Sequence, residues 1–540
     1  IRMMPRPLNE VIAGAPAGSP AGAAVSSRHA GARARWISVF LAAAAVEAVV
    51  VLAALGATIA AAAVALIALA ATALMLLTAP PASAAVGSVE RPASSPTGMD
   101  TEEVPPVHLR TRTTTAVGGP RDRSARARVA SLWSMLQAMS PAILLGACYP
   151  IVGPQLGSHD IGGIPLSSLV VGVSVAVPWL SQVAGTPVYR LIGDAPYRGD
   201  GAARRFVRVW PALFALVLPP VLVVTALVAL TTGWSATAMG AYIALALMNM
   251  LFVQSLVVAD MGGSRGRWTL GWVAYAIALL IAPTIWILPP LAGLVSQVLL
   301  MGRALGGLAH PAGVPLRPFI ADTARGLVMG GVLWSDKLLL FLVNGTDFDV
   351  ATVYLCLQPA VVAYSYYFAI TSPSINRAVA RFHAQLADAS MDRLRDQGRF
   401  LRGTVSASLR RTAVVGVVSV GLAVLVAALL GGGGTVGRGL NVSDVIEVAL
   451  IAGASLMLTA LTLLAYEIEH VGDRTAAIVL SGAHMVAALA LFIGLGTTAV
   501  RAYGAVGIVD LVLVAVAIAV YRSRWSSPEY AFFWGKALSW

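Results

Sequence analysis

The chain has 540 residues, of which 58% are hydrophobic and 11% charged, with a formal net charge of +12. Soluble domains do not have that composition, and apolar stretches of about 20 residues recur to the C-terminus, so the chain reads as an all-α, polytopic membrane helix bundle. The pattern excludes a transmembrane β-barrel, whose strands are short and alternating. It also excludes a disulfide or Cys-metal framework, because the only cysteines, Cys148 and Cys356, stand singly in apolar stretches.

Residues 1–35 are rich in Ala, Gly, Pro and Arg and read as a disordered basic tail. Two Ala-rich spans follow, 36–55 and 57–78, forming a membrane hairpin over 36–79. Residues 80–128 are a Pro-, Ser-, Thr- and Arg-rich linker. Ala-Pro-Pro-Ala-Ser-Ala-Ala, 79–85, resembles a signal-peptidase site, but two spans precede it rather than one, which argues against cleavage. Twelve more spans are expected at 131–152, 164–186, 207–229, 236–259, 268–288, 290–309, 321–343, 350–371, 412–430, 443–465, 475–496 and 503–521. That makes about 14 transmembrane helices. They divide into a first six-helix lobe, 129–320, a second, 321–527, and a C-terminal tail, 528–540.

Orientation follows from Lys and Arg. With the N-terminus in the cytoplasm and the segments alternating, every one of the 37 basic residues falls on a cytoplasmic segment except Arg438 and Arg501, in outer loops, and Arg325 and Lys337, within spans. Both termini are then cytoplasmic, in the plasma or inner membrane. The positive charge sets topology beside anionic lipid and does not point to nucleic acid. The longest cytoplasmic loop between the twelve spans, 372–411, contains RAVARFHAQLADASMDRLRDQGRFLR, which reads as one basic amphipathic helix. Such a helix lies on the membrane surface or docks a cytoplasmic partner.

The span 321–343 carries the charges that need explaining, since one charge at the centre of a membrane helix costs about 2.5–3.5 kcal/mol on insertion scales. At roughly 100° per residue, Asp322, Arg325 and Asp336 fall on one side of the helix, with Asp336 about 16 Å further along than Asp322 and Arg325. Such a stripe faces a bundle interior or a wet cavity. Lys337 points about 100° away and lies near the outer end, so it is expected to have a different partner from Asp336, snorkelling outward or reaching another helix. Two roles stay open: charges satisfied by neighbouring helices, or a cavity used in transport.

Other polar positions are less informative. Glu47 and Asp510 lie in spans without an identifiable partner. Trp334 precedes the Asp-Lys pair. Tyr364, Tyr366, Tyr367 and Phe368 are either packing aromatics or a surface on which sugar rings stack. Pro150, Pro178, Pro219, Pro220, Pro289, Pro290 and Pro359 are expected to bend or break spans. The chain lacks G-x-x-x-x-G-K-[ST] and H-E-x-x-H. No cofactor or metal is implied, and a carrier is a more economical reading than an enzyme.

RGLVMGGVLWSDKLLLFL, 325–342, resembles the seventh core helix of the Pel exopolysaccharide export membrane protein family. YLCLQPAVVAYSYYFAITSPSINRAVARFHAQL, 354–386, is similar to its next helix and basic extension. LLAYEIEHVGDRTAAIVLSGAHMVAALALFIGLG, 463–496, and PEYAFFWG, 528–535, are similar to its C-terminal part. That family lies within the multidrug, oligosaccharidyl-lipid and polysaccharide exporters. The resemblance implies two six-helix lobes, as parallel repeats, around a central cavity that opens alternately to each side. It implies export or flipping of a polysaccharide or lipid-linked saccharide. A helix at the start of a lobe lines that cavity, which fits the stripe read above, so Asp322, Arg325, Trp334, Asp336, Lys337, Tyr364 and Tyr367 are expected on a substrate or ion pathway. Membrane lipid is the implied surrounding, and a cytoplasmic glycosyltransferase with other synthase-complex membrane proteins the implied partners. An antiporter for small amphipathic molecules, which the same fold supports, and a non-transporting scaffold of a polysaccharide synthase are the alternatives.

Overall fold

In lipid, every backbone N–H and C=O must be satisfied within the segment, so long apolar runs become helices. A computed structural model of the chain describes residues 133–193, 200–261, 265–345, 350–386, 389–431, 442–495 and 498–537. Its order is α1 (Ser140–Ser158), a hairpin of β1 (Asp160–Ile161) and β2 (Ile164–Pro165), α2 (Leu166–Gly193), α3 (Asp200–Thr232), α4 (Ala236–Met261), α5 (Arg265–Ile281) and α6 (Leu288–Met301). A 3-10 segment, Gly302–Ala309, leads to α7 (Leu316–Asn344). After α8 (Val350–Tyr366), a π turn at Tyr367–Thr371 runs into α9 (Ser372–Gln385). Then come α10 (Met391–Gly431), α11 (Val442–His470), α12 (Arg474–Leu495), α13 (Ala499–Arg524) and α14 (Pro528–Ala537).

Among the described residues, 9 helices are long and apolar enough to cross a membrane. The twelve expected core spans fall on α1 to α8 and α10 to α13. The hairpin expected at 36–79, with Glu47, lies outside the described residues. Proline acts as its chemistry dictates. Pro289 and Pro290 open α6, where a missing N–H costs nothing, while Pro178, Pro219, Pro220 and Pro359 lie within helices. The β1–β2 hairpin turns through Gly162 and Gly163 at φ 62 and 84, a geometry that favours glycine at both positions. Ser235 at the start of α4 holds that turn, its hydroxyl donating to Gly162 O at 2.7 Å.

One expectation is overturned. The basic run 377–402 is not one amphipathic surface helix. α9 ends at Gln385, and α10 begins at Met391 and continues for 41 residues through the expected span 412–430. The apolar face of α9 (Ile375, Val379 and Phe382) joins Leu394, Leu401 and Val405 of α10 in a core with Trp525 and Phe532. That face is covered by protein, because α14 folds back onto it.

The most extensive helix contacts are α2 with α7 and α11 with α13. Glycine permits the first. A Cβ at Gly326 would stand 2.6 Å from Gln182 O, and one at Gly330 would stand 2.6 Å from Gln182 Cβ. Trp179 Nε1 donates to Leu327 O at 2.9 Å across the same contact. Further along, Gly172 of α2 lies against Phe341 of α7, which meets Trp234 edge-on. The largest apolar core joins residues of α1, α2 and α4 to Leu338, Phe341, Phe492 and Tyr503, so α7 is seated between the first six helices and α11 to α13.

Candidate functional site

The second half of α7 contains Trp334, Ser335, Asp336 and Lys337 in an otherwise apolar sequence. Asp336 is 0% exposed and Lys337 2%. Their separation of about 100° around the helix does not keep them apart. The four-carbon lysine stem curls back along the helix, and Nζ lies 2.7 Å from Asp336 Oδ2 and donates to Leu333 O at 2.8 Å. The expectation of separate partners and an outward-snorkelling lysine is therefore corrected. With neighbouring helices closing the site to water, the adjacent carboxylate is the charge within reach. The ammonium also stands 5.9 Å from the centroid of the Trp334 ring.

A second helix completes the site. Tyr503 of α13 donates its hydroxyl to Asp336 Oδ2 at 2.8 Å, and its ring packs edge-on against Phe492 of α12. Asp336 Oδ1 and Ser335 Oγ have no hydrogen-bond partner among the described residues. Beside this group lies a pair not expected from sequence. His484 Nδ1 of α12 is 2.6 Å from Asp510 Oδ1 of α13, and both residues are 0% exposed. Asp510, expected to have no identifiable partner, thus has one 26 residues earlier in the chain. Asp510 also lies within electrostatic reach of Asp336. Gly331 makes room for this layer, since a Cβ there would lie 2.5 Å from Met485 Sδ, next to His484.

The rest of the expected stripe goes elsewhere. Arg325 is 2.7 Å from Glu469 at the end of α11 and 3.8 Å from Asp322 one turn earlier. Arg325 and Asp336 share a helix side without sharing a partner. Near the same end, Tyr367 at the π turn donates its hydroxyl to Glu467, a buried carboxyl absent from the sequence-derived site. π turns often mark functional positions. Tyr367 is 0% exposed, with its ring against Phe368 and Tyr466, while Tyr364 is half-buried against Phe368. In this conformation Tyr367 has no open face on which a sugar ring could stack.

Among the described residues, no three His, Cys, Asp or Glu side chains converge as metal ligands. The arrangement can instead hold and exchange protons between hydrogen-bonded acids, a histidine and a tyrosine, screened from water.

No protein-family model matches the chain, and no curated protein sequence matches it. Solved structures with a similar chain course include the lipid II flippase MurJ in an inward closed conformation, at 12% identity and TM-score 0.45, covering 76% of this chain and 92% of that one. A MATE structure in complex with MaD3S is similar at 13% identity and TM-score 0.48, covering 74% and 96%. A MOP superfamily transporter from Pyrococcus furiosus is similar at 13% identity and TM-score 0.44, also covering 74% and 96%.

Proposed function

We propose that this chain is a membrane exporter or flippase that moves a polysaccharide or lipid-linked saccharide across the cell membrane by alternating access. The observation that carries the reading is the buried Asp336–Lys337 pair on α7, bonded by Tyr503 of α13; α7 also makes the most extensive contact with α2. A charged group sealed among apolar helices is costly and is kept where it serves a pathway. A helix with such a group at the seam between two helix sets is suited to sense their separation. The resemblance of 325–342, 354–386, 463–496 and 528–535 to Pel exopolysaccharide export proteins supports a saccharide as cargo. In this reading 129–320 and 321–527 are the two lobes, 1–128 is a separable extension, both termini are cytoplasmic, and a glycosyltransferase delivers the glycan at the cytoplasmic side.

Glycan export from cells, normalised to the amount of this protein in the membrane, tests the proposal. Asp336→Asn should export poorly for each copy present in the membrane. Normal export per copy from Asp336→Asn would remove Asp336 from the pathway. Efflux of a small amphipathic dye without any glycan export would favour the antiporter instead.

A further inference from the structure

We infer that the His484–Asp510 pair, with Asp336, Lys337 and Tyr503 around it, is a binding site for one exchangeable proton in addition to that on Lys337. The inference begins with charge. Asp336, Asp510, Lys337 and His484 are all at most 2% exposed. With His484 neutral, one cation faces two carboxylates and the group carries a net charge of −1. With one further proton on the imidazole–carboxylate pair, the group is neutral. Burying an uncompensated charge is strongly unfavourable, so the closed conformation favours the protonated form.

Geometry agrees with this. The 2.6 Å separation of His484 Nδ1 and Asp510 Oδ1 is that of a strong, charge-assisted hydrogen bond. Three heteroatoms, His484 Nε2, Asp510 Oδ2 and Asp336 Oδ1, are buried without a hydrogen-bond partner among the described residues. They leave the group with capacity to receive or pass on a proton.

The helices packed against α12 are α7, α11 and α13. From α7 come Asp336 and Lys337, and from α13 come Tyr503 and Asp510. The other ionisable groups of α7, Arg317, Asp322 and Arg325, lie in its first three turns. Those of α11 stand toward its ends, Asp444 and Glu447 at one and Tyr466, Glu467, Glu469 and His470 at the other. Arg501 precedes Tyr503 near the start of α13, while Tyr521, Arg522 and Arg524 lie at its far end. His484, ten residues into α12, is about 15 Å from that helix's start. Of these groups, Asp510 is bonded to His484, and Asp336, with Lys337 and Tyr503 bound to it, lies within electrostatic reach of Asp510. On proton release the imidazolium–carboxylate pair becomes imidazole and carboxylate, and the proton passes to water once the helices part. The part played by opening rests on the exporter reading above; the binding site itself does not.

The test uses the full-length protein in liposomes, stepped from alkaline to acid pH in choline chloride buffer while infrared difference spectra are recorded. One carboxylate–histidine protonation signal should be present in wild type, lost in both His484→Gln and Asp510→Asn, and unchanged when sodium chloride replaces choline chloride at constant pH. A signal that survives both substitutions, or one driven by sodium at constant pH, overturns the inference. Where either variant fails to reconstitute, Asp510→Glu keeps the carboxylate one methylene further out. Its signal should move from the wild-type pH, and an unmoved signal overturns the assignment. Glycan export measured on the same proteins separates the two readings. A signal that maps to the pair in a protein that moves no glycan leaves the proton site standing and removes the exporter. Export without the signal does the reverse.

Discussion

Lys337 and Asp336 each have the other as their only oppositely charged partner at ion-pair distance among the described residues, and both are sealed from water. Removing either leaves a buried charge uncompensated, a loss of about 3–5 kcal/mol for a pair of this kind. Asp336→Asn and Lys337→Gln should therefore lower the melting temperature of the purified protein by similar amounts, although from sequence the two charges read as having different partners. The double variant Asp336→Asn/Lys337→Met should lose clearly less than the sum of the two single changes, because no orphaned charge remains. Additive losses in that cycle would show that the two charges do not depend on each other. A second buried contact offers a milder test. Tyr367→Phe removes the hydroxyl that donates to Glu467 and should cost about 1–3 kcal/mol in thermal stability; a value near zero would mean that the contact is not held in solution. Sequence exposed Asp336 and Lys337 because charges stand out in an apolar helix. It could not expose His484, since a lone histidine in such a run matches a packed core histidine equally well. Its partner Asp510 lies on the next helix at a register that only tertiary packing sets. Glu467 was hidden differently, in YEIEHVGD at a span end, where acidic residues usually meet water.

At the scale of elements, hydropathy located the helices on which the twelve expected spans fall, because lipid permits little else than a helix where apolar residues continue. It did not locate the end of α9. The residues from Leu386 to Ser390 contain neither Gly nor Pro, and the basic pattern runs on across them. What divides α9 from α10 is packing. Ile375, Val379 and Phe382 on one side and Leu394, Leu401 and Val405 on the other close over Trp525 and Phe532, a residue set drawn from α9, α10, α14 and the turn after α13. The α2–α7 contact makes its own prediction. A Cβ at Gly326 would press into the backbone of α2 at Gln182 O, which cannot rotate aside as a side chain can. Gly326→Val should cost about 1–3 kcal/mol as an overpacked contact. It should also reduce cross-linking between cysteines placed at 179 and 327, the positions that Trp179 Nε1 and Leu327 O now join. Gly153→Val, at a position with nothing within 4 Å of its added Cβ, is the matched control and should leave both measurements near wild type. If the two variants behave alike, the close approach of α2 and α7 is not needed in the folded protein.

For the whole molecule, the ends of the helices and the positions of the basic residues tell one consistent story. If the expected spans cross in turn, the ends at Gly193, Asp200, Met261 and Arg265 fall on one side, together with those at Leu316, Gln385, Met391, His470, Arg474 and Arg524. Those ends carry Arg204, Arg205, Arg208, Arg265, Arg267, Arg317, Arg377, Arg381 and the arginines that open α10, while Arg501 is the basic residue at the opposite helix ends among the described residues. Insertion places the Lys- and Arg-rich side in the cytoplasm, since moving each charge across the membrane against its potential is costly. Reporter fusions at residues 100, 230, 390 and 435 should therefore read inside, outside, inside and outside. The fusion at 390 decides most, because it lies between α9 and α10, where the chain leaves the second span of the 321–527 half and begins the third. An outside reading there beside an outside reading at 230 would require one of α4 to α8 not to cross the membrane. An inside reading at 390 with an inside reading at 435 would confine the fault to α10, whose basic first half would then hold it at the cytoplasmic surface without crossing.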